Sequence, residues 1–158
     1  MVHRGIATLA LALMVCFLAL SHFDEQFFFL HFYESLIYIV IVLMLFYFED
    51  RWAYMLGMVA PAGWLVLTFV TGGFGEFFRQ TNEVAHSQAL LYPPAFLGAI
   101  TSVLSVAMIG FCGYRWRREF AGLGKGLSSF LVSFGIVAVY YGVLVFWFWE
   151  TSHWRPRG

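Results

Sequence analysis

Charge is the scarcest property of this chain. Of its 158 residues, 11% are Asp, Glu, Lys or Arg and 61% are hydrophobic, whereas a soluble domain carries about 25% charge. That shortage excludes a water-exposed surface of ordinary composition. The nine basic and nine acidic residues cancel, and no basic patch is large enough to recruit nucleic acid. Cysteine is scarce as well. Cys16 and Cys112 form no CxxC pair, which argues against thiol–disulfide exchange. They belong to opposite levels of the topology derived below, and a disulfide needs Cα atoms within ~7 Å, so they do not bridge. Val15 stands where a lipoprotein signal needs a small residue.

Catalytic signatures are missing too. There is no HExxH, no Cys/His cluster and no visible set of nucleophile, base and orienting group, so a non-enzymatic role is favoured. The string Gly122-Leu-Gly-Lys-Gly126 resembles a phosphate loop only superficially. Glu119 occupies the position of the first glycine, and Gly126 replaces the hydroxyl residue that should follow the lysine. No internal repeat or low-complexity linker is present. Nothing outside the apolar runs is long enough to bury a core, so a single membrane domain over residues 1–158 is expected.

Long apolar runs are what the chain does have. Crossing ~30 Å of hydrocarbon takes about 20 residues at ~1.5 Å each. Five runs qualify, at about 5–21, 27–48, 52–71, 95–113 and 127–149. The expected fold is an all-α integral membrane protein, a bundle of five transmembrane helices. The number falls to four if the first run, which ends in Ala19-Leu20-Ser21, is a cleaved signal peptide. Pro61 should kink the third span, with Gly57 and Gly63 allowing close approach. Phe74, Phe77 and Phe78 fall at i, i+3, i+4 and predict a short interfacial helix over 74–86. Gly98, Thr101, Ser102, Ser105 and Cys112 share one side of the fourth span, and Ser129 and Ser133 lie four apart in the fifth. Both are patterns of helix–helix contact. Phe146-Trp147-Phe148-Trp149 closes the last span as an interfacial anchor.

Orientation follows from the Lys/Arg bias. With the N-terminus inside, the inner side carries Arg4, Arg51, Arg115, Arg117, Arg118 and Lys125, against Arg79, Arg155 and Arg157 outside. The expected location is therefore a cell (inner) membrane, with the N-terminus cytoplasmic and the C-terminus outside. The basic loop 114–126 dominates this bias.

The sharpest feature is a polar stripe in the second span. His31, Glu34, Ser35 and Tyr38 recur at i, i+3, i+4, i+7, which is one helical face. A carboxylate at a helix centre costs ~2.5–3.5 kcal/mol on insertion scales, so the stripe should face other helices. Thr101, Ser102 and Tyr140 are the expected partners. His31 and Glu34 can touch. One reading is a proton-handling or ligand-anchoring site, and the other is a hydrogen bond that fixes helix packing. His22, His31, His86 and His153 gather toward the outer side with Asp24, Glu25, Glu34, Glu76, Glu83 and Glu150. A metal site would draw first on His22 and His86, although longer outer loops collect such residues without any metal. Phe74, Phe77, Phe78, Arg115, Arg117, Arg118 and Lys125 are expected to contact partners or lipid headgroups.

These features fit an accessory or scaffold subunit of a larger, energy-converting membrane complex, contacting the bilayer and other membrane subunits or further copies of itself. One alternative is a stand-alone quinone-, pigment- or haem-binding redox or proton-coupled protein using His31 and Glu34. Another is a small proton-coupled carrier. No cofactor is named by the sequence.

Overall fold

A computed structural model describes residues 3–47, 50–86, 93–120 and 126–153. The chain runs through α1 (His3–Phe23), a 3-10 turn (Glu25–Phe27), α2 (Phe28–Phe46), α3 (Asp50–Val70), α4 (Gly73–Ala85), α5 (Pro93–Phe120) and α6 (Gly126–His153), with no strand among the described residues. All of these helices except α4 are long and apolar enough to cross a membrane. The protein is an all-α membrane bundle, with the expected five spans and one short helix beside them. Lys125, Glu49, Arg155 and Arg157 lie outside the described residues, as do the side chains of Phe148, Trp149, Glu150 and His153.

Four helices close a ring, in which α1 packs on α2, α2 on α3, α3 on α5, and α5 back on α1. The sequence explains why they fit. On α1 the buried hydrophobic residues are Ile6, Ala10, Leu13, Phe17 and Leu20, spaced alternately four and three apart. On α5, after the buried Pro94 and Ala95 at its start, Gly98, Thr101, Ser105, Met108 and Cys112 are buried with the same alternation. This 3.5-residue period keeps one seam facing its neighbour over the whole span. The large side chains of α1 meet the small ones of α5, so the two helices approach closely. Removing α1 would open the ring.

α3 is the hub and touches α2, α4, α5 and α6. Pro61 sits buried inside it, and Gly57 and Gly63 flank the proline as contact points. A Cβ on Gly57 would lie 2.7 Å from Cys112 Sγ and 3.0 Å from Met108 Cε; one on Gly63 would lie 3.0 Å from the Tyr141 ring. Gly57→Val therefore forces α3 and α5 apart. Overpacking of this kind costs about 1–3 kcal/mol, and it should appear as a lower unfolding midpoint in detergent, with Gly5→Val, which meets nothing, as the control.

α6 lies outside the ring, against α3 and one edge of α2. It buries a narrow stripe, Ser129, Ser133, Val137, Tyr141 and Leu144, and Arg51 at the start of α3 donates a hydrogen bond to Ser129. The turn after α3 closes at Gly72, whose φ of +77° is a left-handed conformation that glycine adopts without strain. The chain then turns into α4, which crosses the end of α5.

The basic loop expected over 114–126 is shorter than the sequence suggested. α5 continues to Phe120, because Tyr114–Phe120 contains no helix breaker. Arg115 pairs with Glu119 at 3.0 Å, one turn on. Phe120 stacks on Trp116 at 5.2 Å and leans on Tyr54 of α3 at 6.1 Å, which fastens the extension to the hub.

Candidate functional site

The site forms where the α1–α2 corner meets α4. Asp24 is held in a tight turn. Its N–H donates to the Leu20 carbonyl at 2.9 Å, and its own carbonyl accepts from Phe27 N–H at 3.0 Å. This turn sets the Asp24 side chain over the first turns of α2. His31 follows seven residues later, on the same side. Its Nε2 lies 4.0 Å from Asp24 Oδ2, and its Nδ1 lies 3.0 Å from Glu34 Oε2. Glu34 is 3% exposed, about 9 Å below the start of α2 at 1.5 Å per residue. One imidazole thus stands between a carboxylate at the mouth and a carboxylate in the core.

The rest of the stripe divides into satisfied and unsatisfied groups. Ser35 donates to the Phe32 carbonyl at 2.6 Å, Thr101 to Leu97 at 2.8 Å and Ser102 to Gly98 at 2.8 Å. These hydroxyls bond within their own helices and do not reach Glu34. Tyr140 donates to the Tyr33 carbonyl, and Tyr33 donates back to the Tyr140 carbonyl at 3.4 Å. Their rings stack at 4.3 Å, so Tyr140 clasps α6 to α2 and leaves Glu34 to His31. Tyr38 of α2 lies beside Ser105 of α5 across the middle of the ring. Both hydroxyls are buried and neither completes a hydrogen bond.

Above His31 a half-open cleft of about 240 Å³ is lined by Asp24, His31, Trp64, Glu76, Phe77 and Gly98, among others. α4 forms its roof. Phe77 sits on Trp64, with ring centroids 6.4 Å apart and planes at 14°. Phe17 meets Trp64 edge-on at 5.4 Å. Phe77 also fills the notch at Gly98, where any Cβ would overlap its ring. Outside the roof Arg79 pairs with Glu76 at 2.5 Å, and that bonded carboxylate holds the guanidinium above its ordinary pKa.

The other expected site residues are scattered. His22 is exposed with its ring on Phe23, and His86 bonds the Asn82 carbonyl at 2.8 Å. Among the described residues, no three His, Cys, Asp or Glu side chains gather to hold a metal ion. Of the three α4 phenylalanines, Phe78 is presented outward at 75% exposure. Phe74 lies between Phe69 and Phe77, and Phe77 turns into the bundle because Gly98 makes room for it. Arg117 and Arg118 are exposed at the far end of α5, and Arg115 is engaged by Glu119. Cys16 and Cys112 are both free thiols.

Asp24, Trp64 and Glu76 are the site residues that the stripe alone did not indicate. Asp24 stands seven residues before His31, two helical turns, and that spacing was the available signal. No family model, curated protein or solved structure matches the chain.

Proposed function

We propose that this is a proton-handling membrane protein in which His31 relays protons between Asp24 at the mouth and Glu34 in the core. One observation carries the reading: an imidazole hydrogen-bonded through Nδ1 to the buried Glu34 at 3.0 Å, with Asp24 within ion-pair range of its Nε2 at 4.0 Å, leading from a cleft to a buried acid. Neutral imidazole donates through one nitrogen and accepts through the other. A proton arriving at Nε2 gives an imidazolium flanked by two carboxylates. Release of the Nδ1 proton to Glu34 Oε2 leaves a neutral ring and a neutral acid, so one proton has moved inward. Beyond Glu34 the Tyr38 and Ser105 hydroxyls continue the polar column, and among the described residues Glu34 is the one buried charged side chain. This supports proton-linked binding or switching at one face over a carrier, which needs stations through the whole membrane. By the positive-inside rule, we assign the α4 face to the outside of a cell membrane and the Arg115–Arg118 end to the cytoplasm.

Infrared difference spectroscopy on the reconstituted protein tests the relay. A pH titration should show a carboxylic C=O band that vanishes in Glu34→Gln and shifts its titration in His31→Gln. A titration with no Glu34-dependent band would overturn the reading.

A second reading, a subunit of a larger membrane assembly, is favoured by α6. It buries a single narrow stripe and turns the rest outward, with Val139 67% exposed. Beside it an apolar groove of about 360 Å³ runs between α2 and α6, lined by Phe29, Phe32, Tyr33, Val143 and Trp147 among others. A neighbouring helix or an apolar cofactor such as a quinone would fit there. Migration of the tagged chain at its own mass on a mild-detergent native gel of its membranes would count against that assembly.

A further inference from the structure

We propose that the cleft under α4 binds a small organic ammonium ion, with Asp24 as its counter-charge and Trp64 and Phe77 as its aromatic wall. The inference deepens the relay reading and rests on it for its pH dependence. At about 240 Å³ the cleft falls below the ~300–1,000 Å³ of drug-sized sites, so its ligand is small. Its charged lining has one sign. Among the described lining residues Asp24 and Glu76 are the carboxylates, His31 is the one base, and there is no Lys or Arg. Glu76 is already engaged by Arg79, which Glu83 also attracts. That leaves Asp24, whose charged neighbour is His31 at 4.0 Å, as the anionic group able to serve a ligand.

The remaining walls are chiefly apolar, including Leu20, Trp64, Phe77, Pro94 and Ala95. Such walls suit methyl or methylene groups around a cationic nitrogen. Aromatic faces attract cations, tryptophan most strongly. A bare metal ion would need several N, O or S ligands, and no such group of three forms among the described residues. A carboxylate with aromatic walls therefore selects an alkylammonium over a metal. The proton and the ammonium compete, because a proton on His31 places a like charge beside Asp24. A proton taken up by the His31–Asp24 pair therefore weakens ammonium binding.

The test uses the full chain in nanodiscs, with tetramethylammonium as probe and neopentyl alcohol as a neutral probe of similar shape. Saturation-transfer NMR and equilibrium dialysis should show saturable tetramethylammonium binding, with the alcohol at least about tenfold weaker, as expected of a desolvated cation–π contact. Asp24→Asn should abolish the preference. Trp64→Phe, which keeps an aromatic wall, should weaken binding severalfold and give an independent reading if the Asp24 variant fails to fold. Equal binding of the two probes, or no saturable tetramethylammonium binding, overturns the proposal. If tetramethylammonium fails to bind while the Glu34 infrared band persists, the ammonium site falls and the relay stands. If it binds and no such band exists, the relay falls and the site stands without its pH link.

Discussion

Replacing His31 with leucine is expected to destabilise the bundle more than replacing His31 and Glu34 together with leucine and glutamine. The single change leaves Glu34, 3% exposed, without the donor now 3.0 Å away. Leaving a buried polar group without its hydrogen-bond partner costs about 1–3 kcal/mol, and more when the group is charged; insertion scales give ~2.5–3.5 kcal/mol for an ionised acid in a spanning helix. Glutamine carries no charge, so the double variant avoids most of that cost. The coupling in the double-mutant cycle should be on the order of 2 kcal/mol, read as the shift in unfolding midpoint in mixed micelles. A proton neutralises the stranded carboxylate, so the penalty of His31→Leu should shrink as the pH is lowered. Additive single changes would mean that the pair contributes nothing as a pair, and the relay would lose its structural basis.

Much of the fold was legible because the bilayer leaves few options: a run of about 20 apolar residues has to satisfy its backbone internally. Five such runs gave five spans. Their ends were less legible, because hydropathy sees lipid rather than helix. α5 leaves the apolar region near Gly113 yet remains helical to Phe120, where the Arg115–Glu119 pair and the Phe120–Tyr54 contact hold it. Helix adjacency was not legible at all. Lipid is as apolar as leucine, so an apolar face reads alike whether it meets a neighbour or an acyl chain. The small residues of α5 marked a contact surface correctly. They did not say that α1 and α3 would cover it while α6 remained outside.

The site was half legible for the same reason. A buried acid in an apolar run stands out, and His31 at i−3 was its nearest candidate. Thr101, Ser102 and Tyr140 were reasonable partners by hydropathy, yet each bonds to a backbone carbonyl. Serine and threonine in helices do this readily, since a carbonyl one turn back is within reach, whereas Tyr140 reaches across to the Tyr33 carbonyl on α2. Asp24 and Trp64 came together only through the corner and the ring, which no one-dimensional pattern encodes.

Trp64→Ala is expected to be the most damaging single truncation, and it separates the ring from its roof. The indole is 5% exposed on the hub helix, with Phe17 of α1 at its edge and Phe77 of α4 on its face. Truncating a buried aromatic to alanine costs about 3–5 kcal/mol where the surroundings cannot collapse. Pro61, three residues before it, restricts how α3 can adjust. Phe77→Ala tests the roof alone. It removes the ring from the Gly98 notch and leaves Phe17 on Trp64, so the ring of α1, α2, α3 and α5 should keep its stability. Hydrogen exchange distinguishes the two. Phe77→Ala should speed exchange in α4 only, because α4 loses the side chain that docks it. Trp64→Ala should speed exchange in α1 and α3 as well, because the same indole serves both contacts. Equal exchange patterns in the two variants would mean that α4 and the ring unfold as one unit. The cleft would then be a fixed feature of the core, with α4 unable to open over it independently.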